Sequence, residues 1–535
     1  MNAPLLARKA DCFHKGQHWA AAGAAYESGL RLIASALVLT LLIATFMPPL
    51  VWNANEEYYF MLSYRRFAPD LFTENSVVFH ETTNSRFIGE YFMGGLISYF
   101  GYEISHTILR CLMAVAYGIS LAYLFRALGL ALSEGVIILC IYILLWQQTI
   151  GGEWLFWGVE TKTMAYAAVF ASLALVIQAK WRLAVLFAVL ATYLHFLVGG
   201  FWSFVLLLVY FHLHRKPSNT VYFAMVYGGA VLPLIAILAF EQFSTAPLQS
   251  NDGVSGTYIF FLRGARHVAP FINESQFWGR WAPEILATLV AALVSVGWLR
   301  FVRDPLTRTL LLTVTGVCAY LFIALLASYF DRNTGTLGKF FLFRPAGLGL
   351  LLFIIAMMLS LKEELKKSLP KVSAVVLVPL AILLFGNSLL NAVSETQAAI
   401  SDQQMTKQSL TRVLNFLKSS TGIDSVILID PKFDSEKYTN LRKLINRPTL
   451  VGRKYMPTNP AAIIRWQNLM NFREDIFRNG CVGPIKHRVD FILVNVSDKS
   501  RGEKEHLFRS CGDVVVSTDQ YLVVRVKEQL RSPPT

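Results

Sequence analysis

Several motifs are missing from this sequence, and each absence excludes a chemistry. The C-terminal part has no glycine-rich phosphate loop of the GxxxxGK or GxGxxG kind, so a nucleotide-fuelled activity has no support. No spacing matches a metal motif such as HExxH. The first residues, MNAPLLARKADCFHKGQHW, are basic and polar, and no apolar run begins before about Leu30. A cleavable signal peptide starts its apolar core much earlier and ends it at a small-residue site, so the first span is expected to stay attached. Charge is scarce too, at 16% of the 535 residues.

What is present is apolar. Hydrophobic residues make up 54% of the chain and the mean hydropathy is +0.46, well beyond a soluble domain. The reading is an integral membrane protein. The formal charge of +14 gives no case for nucleic acid, because much of the Lys and Arg flanks apolar spans, where it orients the chain and meets lipid headgroups.

Residues 30–52 are long enough for a crossing, with Arg8, Lys9, Lys15 and Arg31 holding the start of that span in the cytoplasm. Residues 53–86 then form a polar outer loop. Residues 87–102 are amphipathic, lie along the outer surface or enter it partly, and are not counted as a crossing. Spans follow at 104–128, 131–146 and 163–179. The run 183–211 has basic residues on both flanks, so it must enter and return as two short helices or a re-entrant hairpin, turning near His195 and Gly199–Gly200. Further spans are expected at 221–240, 285–302, 310–329, 345–361 and 372–389, with a long outer segment at 241–283. The sum is a polytopic α-helical membrane protein of about eleven crossings. Residues 1–29 are the cytoplasmic segment, 30–390 the transmembrane part and 391–535 a domain left outside.

That last part is charged and alternates. β-branched runs at 425–430, 448–452, 489–496, 513–517 and 520–526, with helical spacing at 406–419 and 460–472, predict a small α/β layer domain. Cys12, Cys111, Cys140 and Cys318 fall in the tail or in apolar spans, whereas Cys481 and Cys511 share the C-terminal part. A disulfide between these two suits an oxidising compartment such as the periplasm; two separate buried thiols are the alternative. Strand ends near Asp430 and Arg447 suit carbohydrate, although charges of this kind are usually just solvated.

Chemistry is therefore sought on the outer face. Glu56 and Glu57 stand where the first span ends, and carboxylates at a membrane edge lose hydration and shift their pKa. The same loop holds Arg65, Arg66, Asp70, Glu74, His80, Glu81 and Arg86. Outer-face candidates elsewhere are Glu153 and Glu160 with Lys162, His195, Arg263, Arg266 and His267 in FLRGARHVAP, and Lys339 and Arg344 in GKFFLFRP. Together they supply a base, hydrogen-bonding groups and phosphate binders. Each also has a plainer reading. Glu153 and Glu160 lie among interfacial aromatics, His195 can be a packing residue, and Arg344 can anchor a span at the headgroups. Arg110, inside a span, must face the bundle interior or snorkel.

A cytoplasmic N-terminus, one span, an outer loop opening with NANEEYY, an amphipathic stretch, many spans and an external α/β domain together resemble the GT-C superfamily of membrane glycosyltransferases. Within it the chain is similar to a group of poorly characterised bacterial multispanning proteins. The resemblance is carried by HFLVGG, RGARHVAP, FRP and NRPTLVGRKYMPTNPAAIIRW and covers nearly the full length. The first-loop pair here is Glu-Glu, where Asp is the commoner superfamily residue. The resemblance implies transfer of a sugar from a polyprenyl-phosphate carrier to a glycan, lipid or protein acceptor on the outer face of a bacterial inner membrane, in cell-surface glycan assembly. It implies Glu56 or Glu57 as the base, with Arg263, Arg266, His267, Lys339 and Arg344 on the donor phosphate. A divalent cation stays open as a cofactor; a nucleotide does not. The rival readings are a polysaccharide polymerase, a transporter or flippase of lipid-linked sugars, and a non-catalytic assembly subunit. Against the transporter, no internal repeat is evident and the charges gather on one face.

Overall fold

Apolar runs of the lengths found here become helices because the bilayer core offers no other partner for backbone N–H and C=O groups. The computed structural model describes residues 29–68, 86–145, 147, 150–214, 217–244, 254–299, 304–368, 372–434, 441–457, 460–496 and 501–530. Among the described residues seven helices are long and apolar enough to cross a membrane, and four shorter apolar helices accompany them. The chain is a helical membrane protein.

In chain order, α1 (Gly29–Phe46) leads into α2 (Ala54–Arg65) and α3 (Phe87–Ala127). The shorter α4 (Leu132–Leu144), α5 (Thr161–Ile177) and α6 (Trp181–Leu194) follow, then α7 (Phe196–His214) and α8 (Pro217–Ser244). Between α8 and α12 (Ala282–Leu299) come three short helices, α9 (Gly256–Arg263), α10 (Ala265–Val268) and α11 (Glu274–Gln276). α13 (Pro305–Phe330), α14 (Ala346–Ser368) and α15 (Val372–Ser419) complete the apolar set. Large side chains such as Leu37, Leu41, Leu286, Leu293 and Phe322 stay exposed along these helices, as lipid-facing positions require.

Three expectations need adjusting. The first outer loop is not a plain loop: Asn53 caps α2 by accepting from Asn55 N, and Glu56 returns the capping box by accepting from Asn53 N at 2.6 Å. Asp70, Glu74, His80 and Glu81 lie outside the described residues. The amphipathic 87–102 and the following span are one 41-residue helix broken at Gly101, whose φ of 76° and ψ of 174° only glycine adopts readily. The run 183–211, by contrast, takes one of its two expected forms: two helices, α6 and α7, that break at His195.

The third adjustment concerns the C-terminal boundary. α15 runs for 48 residues from the apolar part into the C-terminal part, so the division near residue 390 falls inside a helix rather than a linker. Beyond it, β1 (Ile427–Ile429), β2 (Phe491–Asn495), β3 (Gly512–Ser517) and β4 (Tyr521–Val526) form one sheet in the order β1-β2-β4-β3, with β1 and β2 parallel and the other pairs antiparallel. Residues 448–452 add only a bridge, Ile427 to Thr449. Helices α16 (Leu441–Ile445), α17 (Pro460–Asn479) and α18 (Arg501–Arg509) complete this part. Alternation covers both faces of the sheet. Ile427, Ile429, Leu493 and Val523 pack on Leu410, Val413 and Leu417 of α15, while Leu428, Ile492, Val494 and Val524 pack on Trp466, Leu469 and Met470 of α17. Cys481 and Cys511 are joined, with Cα atoms 4.9 Å apart, tying the end of α17 to the start of β3.

Helix α2 is the wedge between the two parts. Its Phe60 is buried in the membrane bundle and its Met61, one residue on, in the C-terminal core. Both lie on one short helix because adjacent residues point about 100° apart.

Candidate functional site

The site is built around an irregular segment, residues 150–160, between α4 and α5. Non-helical backbone among apolar helices must find its hydrogen bonds inside the protein. Gln147 supplies several: its side-chain oxygen accepts from Leu155 N and Phe156 N, at 3.1 and 2.7 Å, and its Nε2 donates to Phe156 O at 2.9 Å. Glu284 accepts from Gly151 N at 2.9 Å, His267 Nδ1 meets Gly151 O at 2.8 Å, and Tyr117 donates to Leu155 O at 3.2 Å. Gly151 has φ 75°, and a Cβ there would stand 2.9 Å from Phe343 Cβ, so the close approach needs glycine.

This segment holds two buried carboxylates against cations from elsewhere in the chain. Lys162, in the first turn of α5, lies 3.1 Å from Glu153 Oε2 and 3.6 Å from Glu160 Oε2. Arg344, just before α14, approaches Glu153 at 3.9 Å and donates to Nε2 of His195 at the α6–α7 break. That donation makes Nε2 the unprotonated ring nitrogen. Asn55 of α2 donates to Glu160 Oε1 at 3.0 Å. Arg86 lies over the ring of Tyr59 and 3.5 Å from Glu90, which Arg66 also holds. The charges of Arg86, Lys162, Arg344 and Glu160 all act on Tyr59. Burial raises the Tyr59 phenol and Glu160 raises it further, so it stays protonated at neutral pH. Burial alone would raise Glu153, but Lys162, Arg344 and His267 outweigh it and hold the carboxyl at about 2. Burial lowers His267, against the pull of Glu153 and Gly151 O, so its ring is neutral at pH 7.

Four cations, Arg66, Arg86, Lys162 and Arg344, thus face three carboxylates, Glu90, Glu153 and Glu160. Arg344 Nε and Thr161 Oγ1 are buried there with no hydrogen-bond partner. Unmet buried donors beside the fixed cations Lys162 and Arg344 make a place where an anion is stabilised.

The expected first-loop base is not part of this cluster. Glu56 is fully buried and saturated: Arg110 donates to both oxygens, at 2.9 and 2.7 Å, Val159 N donates at 2.7 Å, and His106 Nε2 lies at 3.1 Å. Burial would raise its carboxyl, yet Arg110 and His106 bring it down to about 2. A carboxylate with so many donors is a weak proton acceptor, so Glu56 anchors α2 to α3 and to the 150–160 segment. Arg110, the costly charge inside a span, is its counter-ion. Glu57 faces the other way and accepts from Arg442 N and Lys443 N, at 2.9 and 3.2 Å, as a cap on α16. Lys443 also lies 2.7 Å from Glu103 and over the ring of Trp52, which stacks on His106. The acidic pair fastens helices together.

Other expected positions separate as well. Arg263 faces α17, lying over Trp466 and 3.4 Å from Gln467 Oε1, and Arg266 is exposed, so neither stands with Arg344. The Lys339 side chain lies outside the described residues. Asp430 is buried and taken up by Asn495 N, Lys432 N and Lys504, while Arg447 donates to Lys418 O and Thr421 O at the end of α15, so neither is open to a sugar. Tyr59 and Asn55 escaped sequence reading, since only the fold brings them near Glu160 and Arg86. Among the described residues no group of three or more His, Cys, Asp and Glu side chains is arranged to hold a metal ion. Compared with known proteins, the chain matches no family model and no curated sequence.

Proposed function

We propose that the chain is a GT-C-type membrane glycosyltransferase that takes a sugar from a polyprenyl-phosphate carrier, with the phosphate held by Lys162, Arg344 and Arg86. The observation that carries this reading is the buried pairing of Lys162 and Arg344 on Glu153 with an unmet Arg344 Nε. An acceptor hydroxyl attacks the anomeric carbon, the bond to the carrier phosphate breaks, and negative charge gathers on the departing phosphate. Fixed guanidinium and ammonium groups stabilise that charge more than the ground state. Among the carboxylates Glu160 is the least committed, with one donor from Asn55 and Lys162 at 3.6 Å, and it is assigned the acceptor proton. Glu153 keeps Lys162 and Arg344 in place. No nucleotide is required, since the donor bond supplies the energy.

The topology that suits this chemistry has all eleven apolar helices crossing, the seven long and the four shorter ones. The N-terminus is then cytoplasmic and the sheet domain periplasmic in a bacterial inner membrane, and the Cys481–Cys511 disulfide agrees with an oxidising side. Protein in lipid nanodiscs with isotope-labelled polyprenyl-phosphate sugar and no nucleotide provides the test. Glu160→Gln is expected to lower kcat about 10²–10⁴-fold at little changed KM, and Arg344→Ala to raise KM. Wild-type protein that neither binds nor consumes the labelled donor overturns the reading.

A further inference from the structure

The segment NRPTLVGRKYMPTNPAAIIRW, residues 446–466, takes no part in the membrane cluster. Its turn at 452–455 packs on Arg442 of α16, whose guanidinium lies 4.7 Å from the centre of the Tyr455 ring. A Cβ on Gly452 would strike Nη2 of the same guanidinium, so a side chain there would displace it. Trp466 fixes the turn by donating to Gly452 O at 3.0 Å. Arg442 and Arg473 of α17 then meet on Asp434, which follows β1. Nη2 of Arg442 donates to Oδ1 at 2.7 Å and Nη2 of Arg473 to Oδ2 at 2.6 Å. Arg453 N donates to both oxygens at 3.3 Å, and Arg453 itself is exposed, so the edge of the site meets water.

Both arginines are buried, Arg442 at 4% and Arg473 at 1% exposure. Among the described residues Asp434 is the one carboxylate that either guanidinium bonds. Glu57 also acts on Arg442, but its Oε1 is taken by Arg442 N and Lys443 N. Three buried nitrogens, Arg442 Nε, Arg473 Nε and Arg473 Nη1, have no hydrogen-bond partner. A buried donor needs an acceptor. Three donor nitrogens from two guanidiniums exceed the two oxygens of a carboxylate and suit a tetrahedral oxyanion, which arginine forks hold well. We propose that Arg442 and Arg473 form a binding site for a phosphate group beside Asp434 in the sheet domain. Free phosphate, a phosphorylated sugar and a lipid headgroup all present that group. The assignment is independent of the transferase reading.

Calorimetric titration of the full chain in phospholipid-free detergent, at constant ionic strength, tests it with inorganic phosphate, glucose 1-phosphate, dihexanoyl phosphatidic acid and acetate. Inorganic phosphate is expected to bind about tenfold or more tighter than acetate, and Arg473→Gln to weaken it about 10- to 100-fold. Arg473→Lys keeps the charge without the fork and is expected to fall between. Arg344→Ala alters the membrane cluster and is expected to leave this response in place. Tighter binding of glucose 1-phosphate than of phosphatidic acid marks a soluble phosphate ester as the ligand, and the reverse order marks a lipid headgroup. Should the Arg473 variants fail to fold, hydrogen exchange of the wild type decides, since phosphate is expected to slow it at residues 441–445 and 452–455. Equal response to phosphate and acetate, a phosphate response lost with Arg344→Ala, or unchanged exchange at those residues overturns the assignment and leaves the two arginines as a structural tie.

Discussion

Arg110→Leu is expected to be among the most damaging single substitutions in the membrane part. In the folded chain the Glu56 carboxylate is completely buried and accepts on both oxygens from this guanidinium, at 2.9 and 2.7 Å. Removing one partner leaves a buried charge uncompensated, at a cost of about 3–5 kcal/mol. Glu56→Gln also destabilises, because the amide offers one acceptor oxygen where several donors converge and turns its NH₂ toward them, about 1–3 kcal/mol for each donor left unmet. The double variant removes both charges and is expected to cost less than the sum, with a coupling of about 2–3 kcal/mol. The pH dependence follows from the same contacts. The carboxyl lies at about 2 rather than its ordinary 4.5, so its contribution is complete above about pH 4.5 and lost as pH falls toward 2. That displacement is worth about 3 kcal/mol. Unfolding in SDS titrations, repeated between neutral and acid pH, measures all four proteins. If Glu56→Gln is as stable as wild type and loses turnover alone, the anchoring argument fails and Glu56 is the base after all.

Glu57→Ala is expected to loosen the hold of α2 on the C-terminal part, losing two hydrogen bonds to a charged acceptor worth about 1.5–3 kcal/mol each. Hydrogen exchange should then quicken at Arg442 and Lys443, and unchanged exchange there refutes it. Reducing Cys481–Cys511, which closes a sequence separation of 30, is expected to destabilise the sheet domain by about 3–4 kcal/mol in the loop-entropy account. Mass spectrometry with thiol labelling of protein isolated without reductant should find both cysteines unlabelled. Reporter fusions after Ser394 are expected to be active only outside the cytoplasm; cytoplasmic activity would reverse the topology. In the C-terminal part, Asp434 is held below its ordinary value, with Arg442 and Arg473 outweighing burial, so Asp434→Asn should weaken the domain at neutral pH and matter less in acid.

Features written in local patterns were legible in the sequence. Each apolar run of membrane length became a helix, since a lipid environment leaves the backbone no alternative, and even the break at His195 followed from basic residues on both flanks of one run. Alternating β-branched residues gave the strands, although 448–452 was stopped at a single bridge where only its first residues meet β1. The chemistry of the candidate cluster was half legible: Glu153, Glu160, His195 and Arg344 could be named, but nothing in the chain order says that they meet. What only the tertiary structure decided is which charge faces which. Glu56 and Arg110 are 54 residues apart, and Glu57 and Arg442 are 385 apart. Helical periodicity directs two adjacent glutamates of α2 to different neighbours, but the identity of those neighbours depends on how distant helices pack.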